Sequence, residues 1–364
     1  MTEVSQSAAA TLPRLLVVGC GRVFRRHHLP ALRRVAGCRV VGIADPDAGN
    51  RSLARRALGG VPTCADLSDL LARVAADAAL ISTSRESQAT LVETALEHGL
   101  HVLVEKPLAI EAADARRLAA LAASRGRLLQ PGCTRRLCPG FAALRAQMRE
   151  AGTGPWQLRI TLQTSGGQWE RIGAQEEDAL FDELLFDLGP DLVDLAVWLA
   201  GSAVMAVRTK PGRRDAHGAR LEAELALADG SRAYARIGHG RRHLERIIAR
   251  NPTALLVATP RSMRRGSWGA TATVADRLRR LLDLAGGRSG LRPSLEVRCF
   301  ARRLALFLEG IGDGRPIGGV ADGLEAAGAA GAVWAWRRSL AAAGAWCTTS
   351  ESRQGSAAAC RASA

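Results

Sequence analysis

The chain has 364 residues, 47% of them hydrophobic, and a formal net charge of +15. That length suits two domains of ordinary size, each with sequence enough for its own core. No apolar run approaches the ~20 uncharged residues that span a bilayer, and the first eleven residues, with Glu3 and no basic cluster, do not have the pattern of a signal peptide.

A charge this basic can serve a nucleic acid. Here the arginines are scattered through Ala- and Leu-rich stretches, and the chain has one Tyr. No segment interleaves aromatic and basic residues as a single-strand platform does. The expected partner is therefore a small molecule, and an anionic one is an economical use of the charge; neither nucleic acid nor membrane is expected. The eight cysteines form no CxxC pair and have no histidines at zinc-ligand spacing. They read as reduced thiols of a cytoplasmic protein with no metal.

Residues 1–13 read as a disordered leader. Leu15–Val18 is a short apolar run that fits a buried parallel strand. A helical stretch follows to Val35, then a strand over Arg39–Ala44, a helix over Ala48–Leu58 and a short amphipathic helix over Leu67–Val74. Strands over Ala78–Ser82, His101–Val104 and Arg127–Gln130 alternate with helices over Gln88–His98, closed by Gly99, and Ile110–Arg125. This alternation predicts an α/β fold with a doubly wound parallel sheet over residues 14–132.

From residue 133 the texture changes. A helix over Phe141–Glu150 precedes alternating segments at Trp156–Gln163, Ala203–Thr209, Arg220–Ala228 and Arg232–Gly238, with a hairpin signal at Asp229-Gly230. These predict an α+β domain over 133–345 with a mainly antiparallel sheet, and a helix near Asp187–Leu199. Residues 240–293 are hard to read: a strand over Thr253–Thr259 and an amphipathic helix over Ala275–Leu284 are expected. Two Ala-rich helices, about Glu296–Gly310 and Ala321–Ala343, close the domain, and 346–364 reads as a disordered tail.

Two features carry chemistry. Gly19-Cys20-Gly21-Arg22-Val23-Phe24 follows a strand and opens a helix, with Asp45 ending the next strand. The glycines suit close approach of a pyrophosphate to backbone N–H groups, and the acid suits ribose hydroxyls. Phe24 replaces the usual third small residue. The pattern predicts a dinucleotide site of Gly19, Gly21, Arg22, Val23 and Asp45, favouring NAD, with Arg51 and Arg55 leaving NADP open. The second feature is Lys106, one of only two lysines, in Glu105-Lys106-Pro107 at a strand end. A Lys retained where Arg serves elsewhere suggests a task that needs a titratable amine.

Together with His28-Leu29-Pro30-Ala31-Leu32, Arg135-Arg136, Gly152-Thr153-Gly154 and Asp187-Leu188-Gly189-Pro190, these segments resemble the glucose–fructose oxidoreductase, inositol dehydrogenase and rhizopine-catabolism (Gfo/Idh/MocA) oxidoreductases, over Leu15 to about Leu340. The resemblance implies NAD(P)-dependent hydride transfer on sugars or cyclitols bound between the domains, and a homodimer or homotetramer formed through the open face of the second sheet. It implies Lys106 beside substrate and nicotinamide, a cis Pro after it, Asp187 in the site, and Thr83, Ser84 and Glu105 near the cofactor. The chain departs from the pattern twice. Asp191 stands where the family has a His that acts as acid/base. Thr83-Ser84-Arg85-Glu86-Ser87-Gln88 lacks the usual Pro and His. Asp187 and Asp191, four apart on a helix, can share a face; Asp187, Asp191 and Lys106 are the candidate catalytic set. An NAD-assisted lyase or hydrolase and a catalytically degenerate cofactor-binding regulator stand as alternatives.

Overall fold

The structure is a computed structural model that describes residues 12–152, 154–165, 177–215, 218–240, 242–266, 293–313, 317 and 319–349. The expected helix over Ala275–Leu284 lies outside these residues, as does most of the expected leader and tail.

The first sheet has strands β1 (Arg14–Val18), β2 (Arg39–Ala44), β3 (Thr63–Cys64), β4 (Ala78–Ile81), β5 (His101–Val104) and β6 (Leu129–Pro131). Their order is β3-β2-β1-β4-β5-β6, all parallel. Every residue of β4 and β5 is buried, because helices cover both faces. The covering helices include α2 (Ala48–Ala57), α3 (Leu67–Leu71), α4 (Arg85–Glu97) and α5 (Ala112–Ser124). The strand order reverses between β1 and β4. The carboxyl ends of β1, β4 and β5 therefore face one crevice, where such sheets bind ligands.

Phe24 does not loosen the first helix. A π-type turn over Phe24–His28 runs into α1 (Leu29–Leu32), and the wide turn puts Phe24 into a cluster with Val17, Cys20, Ile43 and Ala54.

The second sheet follows α6 (Pro139–Glu150). Its strands are β7 (Gln157–Ser165), β8 (Val204–Asp215), β9 (Gly218–Leu227), β10 (Arg232–Gly240), β11 (Leu244–Arg250), β12 (Leu255–Ala258), β13 (Met263–Gly266) and β14 (Cys347–Thr348). The order is β13-β12-β11-β7-β10-β9-β8-β14. All neighbours are antiparallel except β7 and β10. α7 (Glu177–Ala200) lies on the inner face over Leu158, Ile160, Leu162, Ala235 and Ile237. It starts ten residues before Asp187, so that acid sits in mid-helix and not at a helix N-terminus.

Three readings change. β14 pairs with β8, so ordered chain continues into the segment assigned to the tail. The closing helices, α8 (Pro293–Asp313) and α9 (Gly323–Ala341), also serve the first sheet. Leu304, Phe307 and Leu308 of α8 share a core with Leu15, Leu80 and Leu103. Ala326, Ala327 and Ala330 of α9 join Leu118 and Leu129. The reading of all cysteines as reduced thiols also changes: Cys20, Cys38, Cys64, Cys133, Cys138 and Cys299 are free, but Cys347 is disulfide-bonded.

Candidate active site

Lys106 stands two residues past the end of β5, at the crevice. Its backbone is held from α4: the buried Gln88 amide donates to the carbonyls of Glu105 (2.6 Å) and Pro107. Gln88 occupies the position where the family resemblance expects His, and it clamps both sides of the lysine. The Lys106–Pro107 bond is cis.

The lysine side chain points across to α7. Its Nζ donates to the Asp187 carbonyl and to Asp187 Oδ1 (2.8 Å), and lies 3.4 Å from Asp191 Oδ2. Arg135 approaches the same Asp191 oxygen at 2.6 Å and reaches Glu245 on β11 at 2.7 Å. Asp187, Lys106, Asp191, Arg135 and Glu245 thus form a chain of alternating charge. Asp191 and Glu245 are almost wholly buried, which demands partners of opposite sign. Burial works against the lysine's charge, but Asp187 and Asp191 outweigh it and hold the ammonium above its usual range. Burial likewise pushes the Asp187 carboxyl up, and the Lys106 charge more than reverses this. Lys106 is therefore a fixed proton donor in this state, and Asp187 a fixed anion.

Arg136, a weaker candidate from the Arg135-Arg136 pair, turns away. It forks onto Asp194 at 2.6–3.0 Å and meets Glu325 of α9. Its place is structural. The Glu105 carboxylate is also engaged within the protein, by His28 (3.0 Å) and Arg303 (2.6 Å).

At the other end of the crevice, Gly19 has φ +85°, and a Cβ there would fall 2.3 Å from Ser82 O. Only glycine fits, so the loop can lie close against the residue that follows β4. Asp45 is buried; its Oδ2 accepts from Cys20 N (2.6 Å) and its Oδ1 from Asp47 N (2.8 Å). Arg51 donates to the Asp45 and Pro46 carbonyls. Arg22, Val23 and Ser84 are exposed around this opening, and Thr83 is half-buried. The glycine cradle with an acid at the next strand end is what an NAD pyrophosphate and ribose require.

Sequence reasoning took Arg135 only as a family marker and missed Glu245 and His239. Alternate residues of β7, β10 and β11 face α7, and the inward rows end in Thr164, His239 and Glu245. His239 Nδ1 pairs with Thr164 Oγ1 at 2.8 Å. Burial drops the His239 pKa to about 4, against an opposing pull from Asp187. A run of inward apolar residues ending in a polar one is the signal that could have found this rim. Among the described residues no His/Cys/Asp/Glu group could hold a metal ion, and no helix is long and apolar enough to cross a membrane.

Residues 14–133 match the model of the oxidoreductase family with an NAD-binding Rossmann fold. Over this domain the chain is similar to the Gfo/Idh/MocA oxidoreductases. Similar proteins include the D-apiose dehydrogenase of Paraburkholderia graminis, 28% identical over 204 residues (55% of this chain, 53% of that protein). The inositol 2-dehydrogenase of Leifsonia xyli is 32% identical over 203 residues (56% and 58%). The matches thus span little more than half the length of these relatives. The fold of nearly the whole chain is that of the scyllo-inositol dehydrogenase of Lactobacillus casei with bound NAD(H) and scyllo-inositol (TM-score 0.74, 14% identity, 94% of this chain and 100% of that one).

Proposed function

We propose that the protein is an NAD-dependent dehydrogenase that interconverts a CH–OH group and a carbonyl on a sugar or cyclitol. The observation that carries this is the position of Lys106 Nζ: it stands at the carboxyl end of β5, in the same crevice as Gly19 and Asp45, and is held protonated by Asp187 and Asp191. The backbone around Gly19 and Gly21 would hold the pyrophosphate, and Asp45 the adenine ribose. An acid at that position disfavours a 2′-phosphate, hence NAD over NADP. The cofactor supplies the hydride acceptor.

Lys106 would hydrogen-bond the reacting oxygen and stabilise it as alkoxide, giving its proton in the reducing direction. The Asp187 carboxylate, part-exposed, would accept from a neighbouring hydroxyl and orient the ring. Asp191 is taken up by Lys106 and Arg135, so its part is to set the lysine and not to exchange protons. Its pairing with Arg135 is also why the chain can carry an acid where the family has His: the extra negative charge meets a buried cation. The charges of the network, Lys106 and Arg135 against Asp187, Asp191 and Glu245, sum to one net negative charge. That favours an uncharged polyol over the anionic substrate expected from net charge. The outer face of the second sheet, with Arg236 set against Glu222 and with Tyr234 exposed, would serve self-association.

Purified protein tested with NAD and a panel of inositols and aldoses decides the assignment. Reduced nicotinamide forms with at least one of them, and Lys106→Met abolishes it while NADH binding survives. A lyase would consume substrate with no net nicotinamide change, and a regulator would bind cofactor with no turnover.

A further inference from the structure

One helix from the far end of the chain reaches the segment that carries the lysine. α8 presents Glu296, Phe300, Arg303 and Phe307 at helical spacing. Phe307 is packed beneath the parallel sheet, while Glu296 and Phe300 reach His27 and His28 and Arg303 reaches Glu105. The His27 ring stacks on Phe300 at 4.8 Å, and His28 meets the same ring edge-on at 5.1 Å. The Arg303 guanidinium lies 4.7 Å from that ring. Its Nη2 donates to Glu105 Oε1 (2.6 Å) and its Nη1 to Thr134 Oγ1 (2.8 Å). The residue is 1% exposed. Its own carbonyl accepts from Gln130 Nε2 at 3.2 Å.

Glu105 immediately precedes Lys106, and Thr134 immediately precedes Arg135. One guanidinium therefore grips the residue before each cation of the charge chain. His28 on the turn after the phosphate loop shares the same Glu105 oxygen, so that turn is tied in as well. The convergence depends on Gly132: a Cβ there would fall 2.8 Å from Arg303 Nη1 and 3.0 Å from both Glu105 Oε2 and Lys106 N.

We propose that Arg303 is a positioning residue of this site: by fixing Glu105 and Thr134 it sets where Lys106 and Arg135 stand relative to Asp191. The proposal rests on the dehydrogenase reading in giving Lys106 the chemistry. A buried ion pair contributes little net stability compared with apolar residues of similar volume. Its fork geometry, which holds two acceptors at a fixed separation, is what an apolar residue cannot supply.

The two-lysine composition makes a direct test. Protein labelled with 13C at lysine Cε gives signals from Lys106 and Lys210 alone, and Lys210 on β8 is an internal control. In ligand-free Arg303→Met, the Lys106 signal moves and begins to titrate at lower pH, while the Lys210 signal stays in place. In turnover, kcat falls at least about tenfold while KM for NAD stays within about threefold. Arg303→Gln keeps an amide donor, loses the fork and adds no third lysine signal. It gives the same displacement of the Lys106 signal, and it serves as the test should the Met variant not fold. A Lys106 signal unmoved in the folded variants, with kcat within about twofold of wild type, overturns the proposal. A wild-type protein that oxidises no polyol defeats the dehydrogenase reading instead, and the ligand-free lysine signal still decides the role of Arg303.

Discussion

Replacing Asp191 by Asn tests the charge chain at its centre. The change keeps the shape and removes one negative charge from between two cations, 2.6 Å from Arg135 and 3.4 Å from Lys106. At an effective dielectric of about 20 the two attractions are worth roughly 6 and 5 kcal/mol gross. Desolvation of the three groups cancels most of that. Breaking a buried pair by removing one partner costs about 3–5 kcal/mol. Arg135 retains Glu245 and Lys106 retains Asp187, so the lower end applies, about 3 kcal/mol. At about 2–4 °C per kcal/mol, the melting temperature falls by roughly 6–12 °C. The same substitution removes one of the two anions that hold the Lys106 ammonium up, so its alkaline titration moves to lower pH. Calorimetric melts paired with the pH profile of turnover read both. Stability within about 1 kcal/mol of wild type and an unmoved alkaline limb would refute the network as the reason an acid is tolerated there.

Gly19→Ala places a methyl 2.3 Å from the Ser82 carbonyl oxygen at a positive φ; NADH affinity, read by fluorescence titration, drops by at least about tenfold, whereas an unchanged affinity contradicts the phosphate loop. Gln88→Leu keeps the volume but removes both clamps on the Lys106 backbone; kcat falls more than KM, and equal changes in the two argue against the clamp. Stability falls on acidification in two windows. Burial lowers the His27 and His239 pKa values from 6.5 to about 4, and lowers that of His28 too. Above pH 6.5 both folded and unfolded states are neutral at these rings and they add nothing. Between 6.5 and 4 only the unfolded chain takes up protons, so stability is lost as pH falls through that range. Glu245, held near 2 because Arg135 and His243 outweigh its burial, contributes stability that is present above 4.5 and lost below it. Urea midpoints taken from pH 7.5 to 4.5 that stay flat contradict the buried neutral histidines.

The first domain was legible because its signals are local. Gly19, Asp45 and Lys106 each stand at the end of a short apolar strand, and the strand–helix alternation fixes where those ends meet. The second domain hides its half of the site. β11 reads Leu244-Glu245-Arg246-Ile247-Ile248, with Glu245 and Ile247 turned inward and Ile248 half-buried on the other face. Charged and apolar residues lie on both sides, which blurs the two-residue period that marks a strand. Glu245 was invisible for that reason. Asp191 is legible only through the family resemblance, as the residue at the His position four after Asp187, and its partner Arg135 lies 56 positions away by number on another element, with no periodicity to link them. α8 was read as a helix of the second domain because an apolar stripe does not say which core it will join; its Leu304 and Phe307 cover the parallel sheet.

The most direct measurement is the absorbance of reduced nicotinamide when the wild-type protein and Lys106→Met are each mixed with NAD and a panel of inositols and pentoses. Formation of NADH by wild type with at least one polyol, and none by the Met variant at matched cofactor occupancy, is the expected result. No NADH from wild type with any polyol, or equal rates from the two proteins, would contradict the account.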